Sequence, residues 1–282
     1  MRLPIKNMLK LITPPLLVHL GKRLHGNEST EIYGLSGDYC SWEEAIDAST
    51  GYDSRIILEK TKAALLKVKN GESAYERDSV LFDEIQYSWP LLAGILWAAA
   101  RNGGVLNVLD FGGSLGSSYY QNRIFLSSLP QVRWNIVEQS SHVGIGKAYF
   151  EDNNLHFYLS IAECLADTQP NVILLSSVLQ YLEHPYIVLD QLLELPCDHV
   201  IINRTPFWTG LSDRLCVQTV PSTIYPASYP SWIFSTPSFY SYLNEKWKII
   251  AEFESLDRLR GPVKILWRGL IIERRKHVTS MM

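Results

Sequence analysis

The pattern of apolar and polar positions changes near residue 104. Before it, apolar residues recur at helical spacing; after it, short apolar runs alternate with helical stretches. Within 31–103, Ser41 followed three positions later by Glu44 has the form of a capping box opening "WEEAIDAS". "SRIILEKTKAALLKVKNG", Ser54 to Gly71, carries Ile57, Leu58, Ala64, Leu65 and Val68 on one helix face, and "WPLLAGILWAAARNGG" is a second apolar helix stopped at Gly103-Gly104. These patterns predict an N-terminal helical cap over 31–103.

From 104 to 275 the chain reads as strand, helix, strand. "VLNVLDF" (105–111), "VRWNIVEQ" (132–139), "LHFYLS" (155–160), the start of "NVILLSSVLQYL" (171–182) and "HVIINRT" (199–205) are predicted strands. Between them lie helical stretches at 117–130, 143–152, 161–167 and 185–195, and this alternation implies a parallel sheet with helices on both faces. Residues 206–237 break the rhythm: rich in Pro, Ser and aromatics, they read as an insert with little periodicity. A helix near 237–245 follows, then "KWKIIAEFE" and "KILWRGLIIER", two consecutive strands that form a hairpin, so one of them runs antiparallel to the rest. Residues 276–282 read as a flexible tail.

Composition narrows the class without naming it. The 282 residues are 46% hydrophobic and 20% charged, ordinary for a globular protein, and a formal net charge of -3 gives no field for nucleic acid. Four widely spaced cysteines without a CxxC pair suggest neither a disulfide framework nor a zinc site, so reduced thiols in the cytoplasm are expected and no metal is assigned. Residues 1–30 form a basic, apolar lead: Arg2, Lys6, Lys10, Lys22 and Arg23 all precede the first acidic residue, Glu28. Pro14 and Pro15 split its apolar stretch, no cleavage site of small residues follows, and it is too short to span a bilayer. Two readings stand: peripheral contact with an anionic membrane through residues 1–26, or an amphipathic lead packed on the protein.

The densest candidate chemistry is "NVLDFGGSLGSS", where a strand runs into a glycine loop and then a helix. Gly112, Gly113 and Gly116 let a ligand approach the main chain at a helix N-terminus. Asp110 sits where a phosphate would be repelled and suits a cation such as an ammonium or a sulfonium. Glu138 closes the second strand, a place from which an acidic residue accepts both ribose hydroxyls of a nucleoside. Ligands of such sheets bind beyond the carboxyl ends, where strand order reverses, so Asp110 and Glu138 are expected to share one crevice.

These residues resemble the class I S-adenosylmethionine-dependent methyltransferases. Asp110-x-Gly112-x-Ser114-x-Gly116 looks like their acidic-x-Gly-x-Gly-x-Gly loop with Ser114 at the middle glycine, and Glu138 matches their ribose-binding acid. The implied fold is α/β: a Rossmann-like, seven-stranded, mostly parallel sheet with a terminal antiparallel hairpin. "LDFGGSLGSSYYQNR", "HVGIGKAYFED", "ILLSSVLQYLEHP", "RTPF" and "IYPASYPSWIFS" are further similar to a bacterial family of methyltransferases of unknown substrate, associated with cell-surface polysaccharide biosynthesis.

The resemblance implies S-adenosylmethionine as cofactor, held by Asp110, Gly112, Gly113, Gly116, Glu138, Ser176 and Ser177. The implied acceptor is a small molecule or glycan intermediate, methylated on a hydroxyl. It is expected near the carboxyl ends of the first, fourth and fifth strands. His184 is the candidate base because histidine titrates near neutrality, with Tyr181 beside it; Arg204, Tyr225, Tyr229 and Trp232 are candidate acceptor contacts. Each has a plain alternative: a solvated helix break for His184, packing for Tyr181, a surface ion pair for Arg204, and a packed loop for the aromatics. Two rival functions stay open, an NAD(P)-dependent oxidoreductase and a non-catalytic cofactor-binding module.

Overall fold

The computed structural model describes residues 33–51, 54–244 and 246–275. The chain divides into two units, Met1–Ile32 and Tyr33–Met282. The basic lead 1–30, its membrane contact through 1–26, and the tail 276–282 lie outside the described residues. Among the described residues no helix is long and apolar enough to cross a membrane.

The second unit is built on a sheet whose core order is β6 (Leu155–Tyr158), β5 (Gln131–Val137), β4 (Val105–Phe111), β7 (Val172–Ser176), β8 (His199–Trp208), β12 (Leu266–Arg274) and β11 (Trp247–Glu254). β4 lies parallel to β5 from Val105↔Gln131 to Phe111↔Val137 and parallel to β7 on its other side. β12 runs antiparallel to both β8 and β11, so it alone opposes the other six. The expected seven-stranded α/β sheet with a terminal hairpin is therefore present. Its central strands β4 and β7 are buried on both faces because both faces are covered. Leu106 and Val108 pack with α2 (Ser54–Lys69), α3 (Trp89–Arg101) and α4 (Ser117–Leu126), whereas Leu109 packs with α6 (Ile161–Asp167) and α7 (Pro185–Leu193) on the opposite side. Helix α5 (Ser140–Tyr149) crosses from β5 to β6. Strand order reverses between β4 and β7, which opens a crevice at their carboxyl ends.

Two expectations need correction. Residues 31–103 are not a purely helical cap. Gly34–Tyr39 form β1, α1 spans only Trp42–Asp47, and Tyr75–Arg77 with Val80–Phe82 form a separate hairpin, β2–β3. Its two-residue turn, Asp78-Ser79, has φ of 53° and 68°, the left-handed pair that matches strand twist. Nor is α3 an appendage. A Cβ on Gly94 would lie 2.9 Å from Ile271 Cδ1 and 3.0 Å from Ile201 Cδ1, so the helix backbone rests directly on the sheet.

Residues 206–237 are not a structureless insert. β8 continues to Trp208, β9 spans Arg214–Val220 and β10 spans Ala227–Ser235, with β1 paired antiparallel to β9 at the outer edge. β10 meets β8 only at Phe234↔Phe207 and Ser235↔Trp208, leaving Pro230 on a stretch with a single neighbouring strand. Helix α8 (Thr236–Leu243) then leads into β11. The antiparallel extension flanks the carboxyl ends of β7 and β8, where the site lies.

Candidate functional site

The glycine loop is fitted around a buried carboxylate. Asp110 is fully buried, and Trp134 Nε1 donates to its Oδ2 at 2.9 Å, while Oδ1 has no partner. A Cβ on Gly113 would sit 2.5 Å from the Asp110 Cγ and Oδ2, so only glycine lets the loop fold over this side chain. Gly112, at φ 71°, combines a left-handed backbone with a Cβ position 2.4 Å from Val178 Cγ2. Gly116 serves a different end: it starts α4, and its missing Cβ faces Leu155 and Ile136, which is helix-to-sheet packing. Burial pushes the Asp110 carboxyl up to about 7, eased by the indole bond and reinforced by the nearby Glu138.

Asp110, Gly112, Gly113, Ser176 and Ser177 line one cavity of about 200 Å³, together with Arg204 and Tyr225. The sequence patterns missed the other wall, which is the β2–β3 hairpin: Tyr75, Glu76, Arg77, Asp78 and Ser79. Glu76 is 1% exposed; burial pushes its carboxyl up, while Ser117 Oγ at 2.5 Å and Ser79 N–H at 2.7 Å donate to it. Among the described residues the non-glycine positions of positive φ are Asp78, Ser79, Ser114, Ser177 and Arg204, and all five line this cavity. Left-handed backbone collected around one cavity makes it the candidate functional site.

Glu138 stands behind the loop. Its Oε1 accepts from Ser114 N–H at 3.3 Å and its Oε2 from Gln139 N–H at 2.7 Å. The carboxylate thus tethers the glycine loop at the end of β5, and its side chain keeps 14% of its surface open. It does not line the cavity that holds Asp110, so the expected shared crevice is not seen for the two acids.

Arg204 occupies a bulge. Thr205 pairs with Arg268 and Ile202 with Leu270, so Asn203 and Arg204 together oppose Gly269. The guanidinium joins three elements: its Nε lies 3.2 and 3.1 Å from the two Asp257 oxygens, and its Nη2 lies 2.5 Å from Asp78 Oδ2. Burial favours the neutral base, yet Asp78 and Asp257 hold Arg204 well above its ordinary value. Burial likewise opposes ionisation of Asp257, but Arg204 outweighs it and keeps that carboxyl below the usual range. With two carboxylates in place, Arg204 has little capacity left for an anionic acceptor.

A second cavity of about 460 Å³ adjoins the first and shares Arg77, Asp78, Ser177, Arg204, Tyr225 and Leu256 with it. Tyr181, Tyr229, Gln218 and Trp267 complete its polar and aromatic walls. Gln218 ties two of the phenols together, accepting from Tyr181 Oη at 3.0 Å and donating to Tyr229 Oη at 3.3 Å. Burial pushes the phenols of Tyr181, Tyr225 and Tyr229 up, Tyr225 to about 12, so near neutrality they act as hydroxyls and not as phenolate bases.

Two candidate residues stand apart. His184 caps α7 from outside, its side chain 67% exposed and 3.8 Å from Glu183, and it lines neither cavity. Pro185 starts the helix one residue on. Trp232 donates to Leu182 O at 3.0 Å and stacks on Trp42 at 6.2 Å, so it joins the extension to α1 and touches neither cavity.

No protein-family model matches this sequence, and no curated protein matches it. Among solved structures, the chain is similar to the N-terminal domain of EvdMO1 crystallised in the presence of SAH and D-fucose, with a TM-score of 0.46 and 11% identity over 80% of this chain and 98% of that one. Magnesium protoporphyrin IX methyltransferase from Synechocystis PCC 6803 with bound SAH aligns at a TM-score of 0.43 and 15% identity, over 66% and 80% of the two chains. CalS10, an amino pentose methyltransferase from Micromonospora echinaspora, aligns at 0.41 and 10%, over 67% and 92%. Likeness at this level assigns no activity, and the chemistry has to be read from the cavities.

Proposed function

We propose that the protein is an S-adenosylmethionine-dependent methyltransferase acting on a hydroxyl of a sugar or sugar-linked acceptor. The observation that carries this reading is the fully buried Asp110, whose Oδ1 has no partner and which borders a cavity with Gly112 and Gly113. Asp110 Oδ1, an acceptor with no partner, suits a cationic N–H donor better than an anion. A dinucleotide would bring a diphosphate toward Asp110, which disfavours the oxidoreductase.

When bound, the cofactor supplies a methyl group on a sulfonium, open to in-line displacement. Asp110 and the loop amides would hold its amino acid end, and Glu138 would accept from the ribose hydroxyls. The second cavity, reached through the shared wall, receives the acceptor, where the phenols of Tyr181, Tyr225 and Tyr229 and the Gln218 amide orient hydroxyls. Alignment is the main contribution of these residues; the proton given up by the acceptor hydroxyl would pass to solvent as the oxygen takes the methyl group and S-adenosylhomocysteine leaves. A sugar suits aromatic faces set among neutral hydroxyls, and the polysaccharide role follows the family resemblance. The described cysteines are free, which supports the cytoplasm as its compartment.

The acceptor class is tested by incubating the protein with methyl-labelled S-adenosylmethionine and a panel of sugar nucleotides and glycosyl phosphates. Label on a sugar hydroxyl, lost in Tyr229→Phe or Gln218→Ala, is the expected result. Cofactor binding without transfer to any sugar would remove the sugar and leave the cofactor.

A further inference from the structure

The second cavity does not end at Trp267. Asp257, Arg258, Leu259 and Trp267 also border a third cavity of about 810 Å³, formed by the loop between β11 and β12 and the strand ends it joins. Three carboxylates line this outer cavity, and each already has a base. Asp257 lies 3.0 Å from Arg204, Glu252 pairs with Arg268, and Glu254 lies 4.0 Å from Arg258. Arg260 and Lys264 are on the same lining and have no carboxylate partner among the described residues. The Glu254 side chain is 87% exposed, so its contact neutralises little of the Arg258 charge. The acids of the cavity are thus matched, and the charge of three bases is left over.

The loop that carries these bases is fixed before any ligand arrives. Arg258 Nη1 donates to Ser255 O and Asp257 O, both at 2.7 Å, and Trp267 Nε1 donates to Leu259 O at 3.0 Å. Arg260 O accepts from Leu35 N–H at 2.8 Å, where a Cβ on Gly34 would lie 2.7 Å away, so β1 holds the loop closely. A loop held in one conformation loses less entropy when it binds.

The bases are also set in series. Arg258 stands at the junction of the two cavities, whereas Arg260 and Lys264 line the outer one alone. A carboxylate on a sugar ring would meet Arg258 and leave the other two unmet. Two linked phosphates extending from the ring would meet all three, by guanidinium forks and an ammonium that suit phosphate oxygens. We infer that the β11–β12 groove binds the diphosphate of a diphosphate-linked sugar, whose ring occupies the adjoining cavity of Tyr181, Tyr225 and Tyr229. The inference rests on the proposed acceptor site for the place of the ring, and on the loop alone for the anion.

The test is calorimetric titration with inorganic pyrophosphate of wild type and two double variants. Arg260→Ala with Lys264→Ala removes the groove charge; Lys67→Ala with Lys248→Ala removes the same charge from exposed positions that line neither cavity. Wild type should bind, the groove variant should bind about 5- to 20-fold more weakly, and the control should change less than about twofold. No binding to wild type, or equal weakening in both variants, overturns the groove. Uridine diphosphate glucose and a polyprenyl diphosphate glucose are titrated alongside. The one that binds more tightly than pyrophosphate identifies what the diphosphate is attached to, and Tyr229→Phe should remove that gain. A pyrophosphate loss confined to the groove variant, with no gain from either sugar, supports the groove and overturns the acceptor site. A sugar gain that needs Tyr229 but not Arg260 and Lys264 overturns the groove and leaves the acceptor site.

Discussion

Trp134 Nε1 donates to Asp110 Oδ2 at 2.9 Å, from β5 to β4, and leaves Oδ1 without a partner. The core thus fixes one carboxylate oxygen and reserves the other, which gives Asp110 a defined direction before any ligand arrives. The same burial makes the empty site an electrostatic liability.

That liability predicts a pH dependence. The Asp110 carboxyl is raised from 3.8 to about 7, so its proton is held more tightly in the folded chain than in the unfolded one. Its contribution is fully present below about pH 4 and is lost as pH rises through 7, on the order of 4 kcal/mol at about 1.4 kcal/mol per unit. Glu76, also raised by burial, acts in the same direction. Urea unfolding of the ligand-free protein across this range should show the loss, and Asp110→Asn should flatten it. An identical pH slope in the variant would contradict the assignment.

Ligand fragments separate the two acids. Glu138→Ala should weaken S-adenosylmethionine and 5′-methylthioadenosine alike, because both carry the ribose. Asp110→Asn should weaken the first by about tenfold or more and leave the second nearly unchanged, since only the first carries the ammonium. Parallel losses for both ligands in both variants would count against the division of roles.

The loop leaves no room for a methyl group at Gly113. In Gly113→Ala the new Cβ would meet the Asp110 carboxylate, which is fixed by Trp134 and cannot swing away. Destabilisation of about 1–3 kcal/mol, with loss of cofactor binding, is the expected result. Wild-type stability together with wild-type affinity would show that the carboxylate is free to move.

Arg204 links β8, the hairpin and the β11–β12 loop, and its partners differ in exposure: the side chain of Asp78 is 57% open and that of Asp257 is 12% open. Arg204→Met leaves the buried Asp257 uncompensated and should cost about 3 kcal/mol, whereas Asp78→Asn should cost less than about 1 kcal/mol. Urea midpoints at constant slope measure both. Equal effects would indicate that Asp257 is more solvated than its position implies.

The parts of this fold that the sequence made legible share a physical cause. β4 matches its expected bounds, 105–111, because a strand buried on both faces is a continuous apolar run ended by the glycine loop. Asp110, Gly112 and Gly113 were readable because their chemistry is packed into one short stretch. Arg77 and Asp78 were not, because the Asp78–Arg204 contact spans 126 positions and nothing local announces it. The hairpin turn itself uses Asp-Ser where Asn-Gly or Asp-Gly would have been recognisable. β9 and β10 were hidden by Pro221, Pro226 and Pro230, whose positions flank or interrupt ladder pairing that only the tertiary fold completes. His184 shows the reverse case: apt chemistry in the sequence, placed on the outside by the start of α7.

The most direct measurement is calorimetric titration of the wild-type protein with S-adenosylmethionine, S-adenosylhomocysteine and NAD at pH 7.5. Binding of the first two, and no heat from NAD, is the predicted result. Binding of NAD, or of none of the three, would contradict the central claim that the Asp110 cavity receives S-adenosylmethionine.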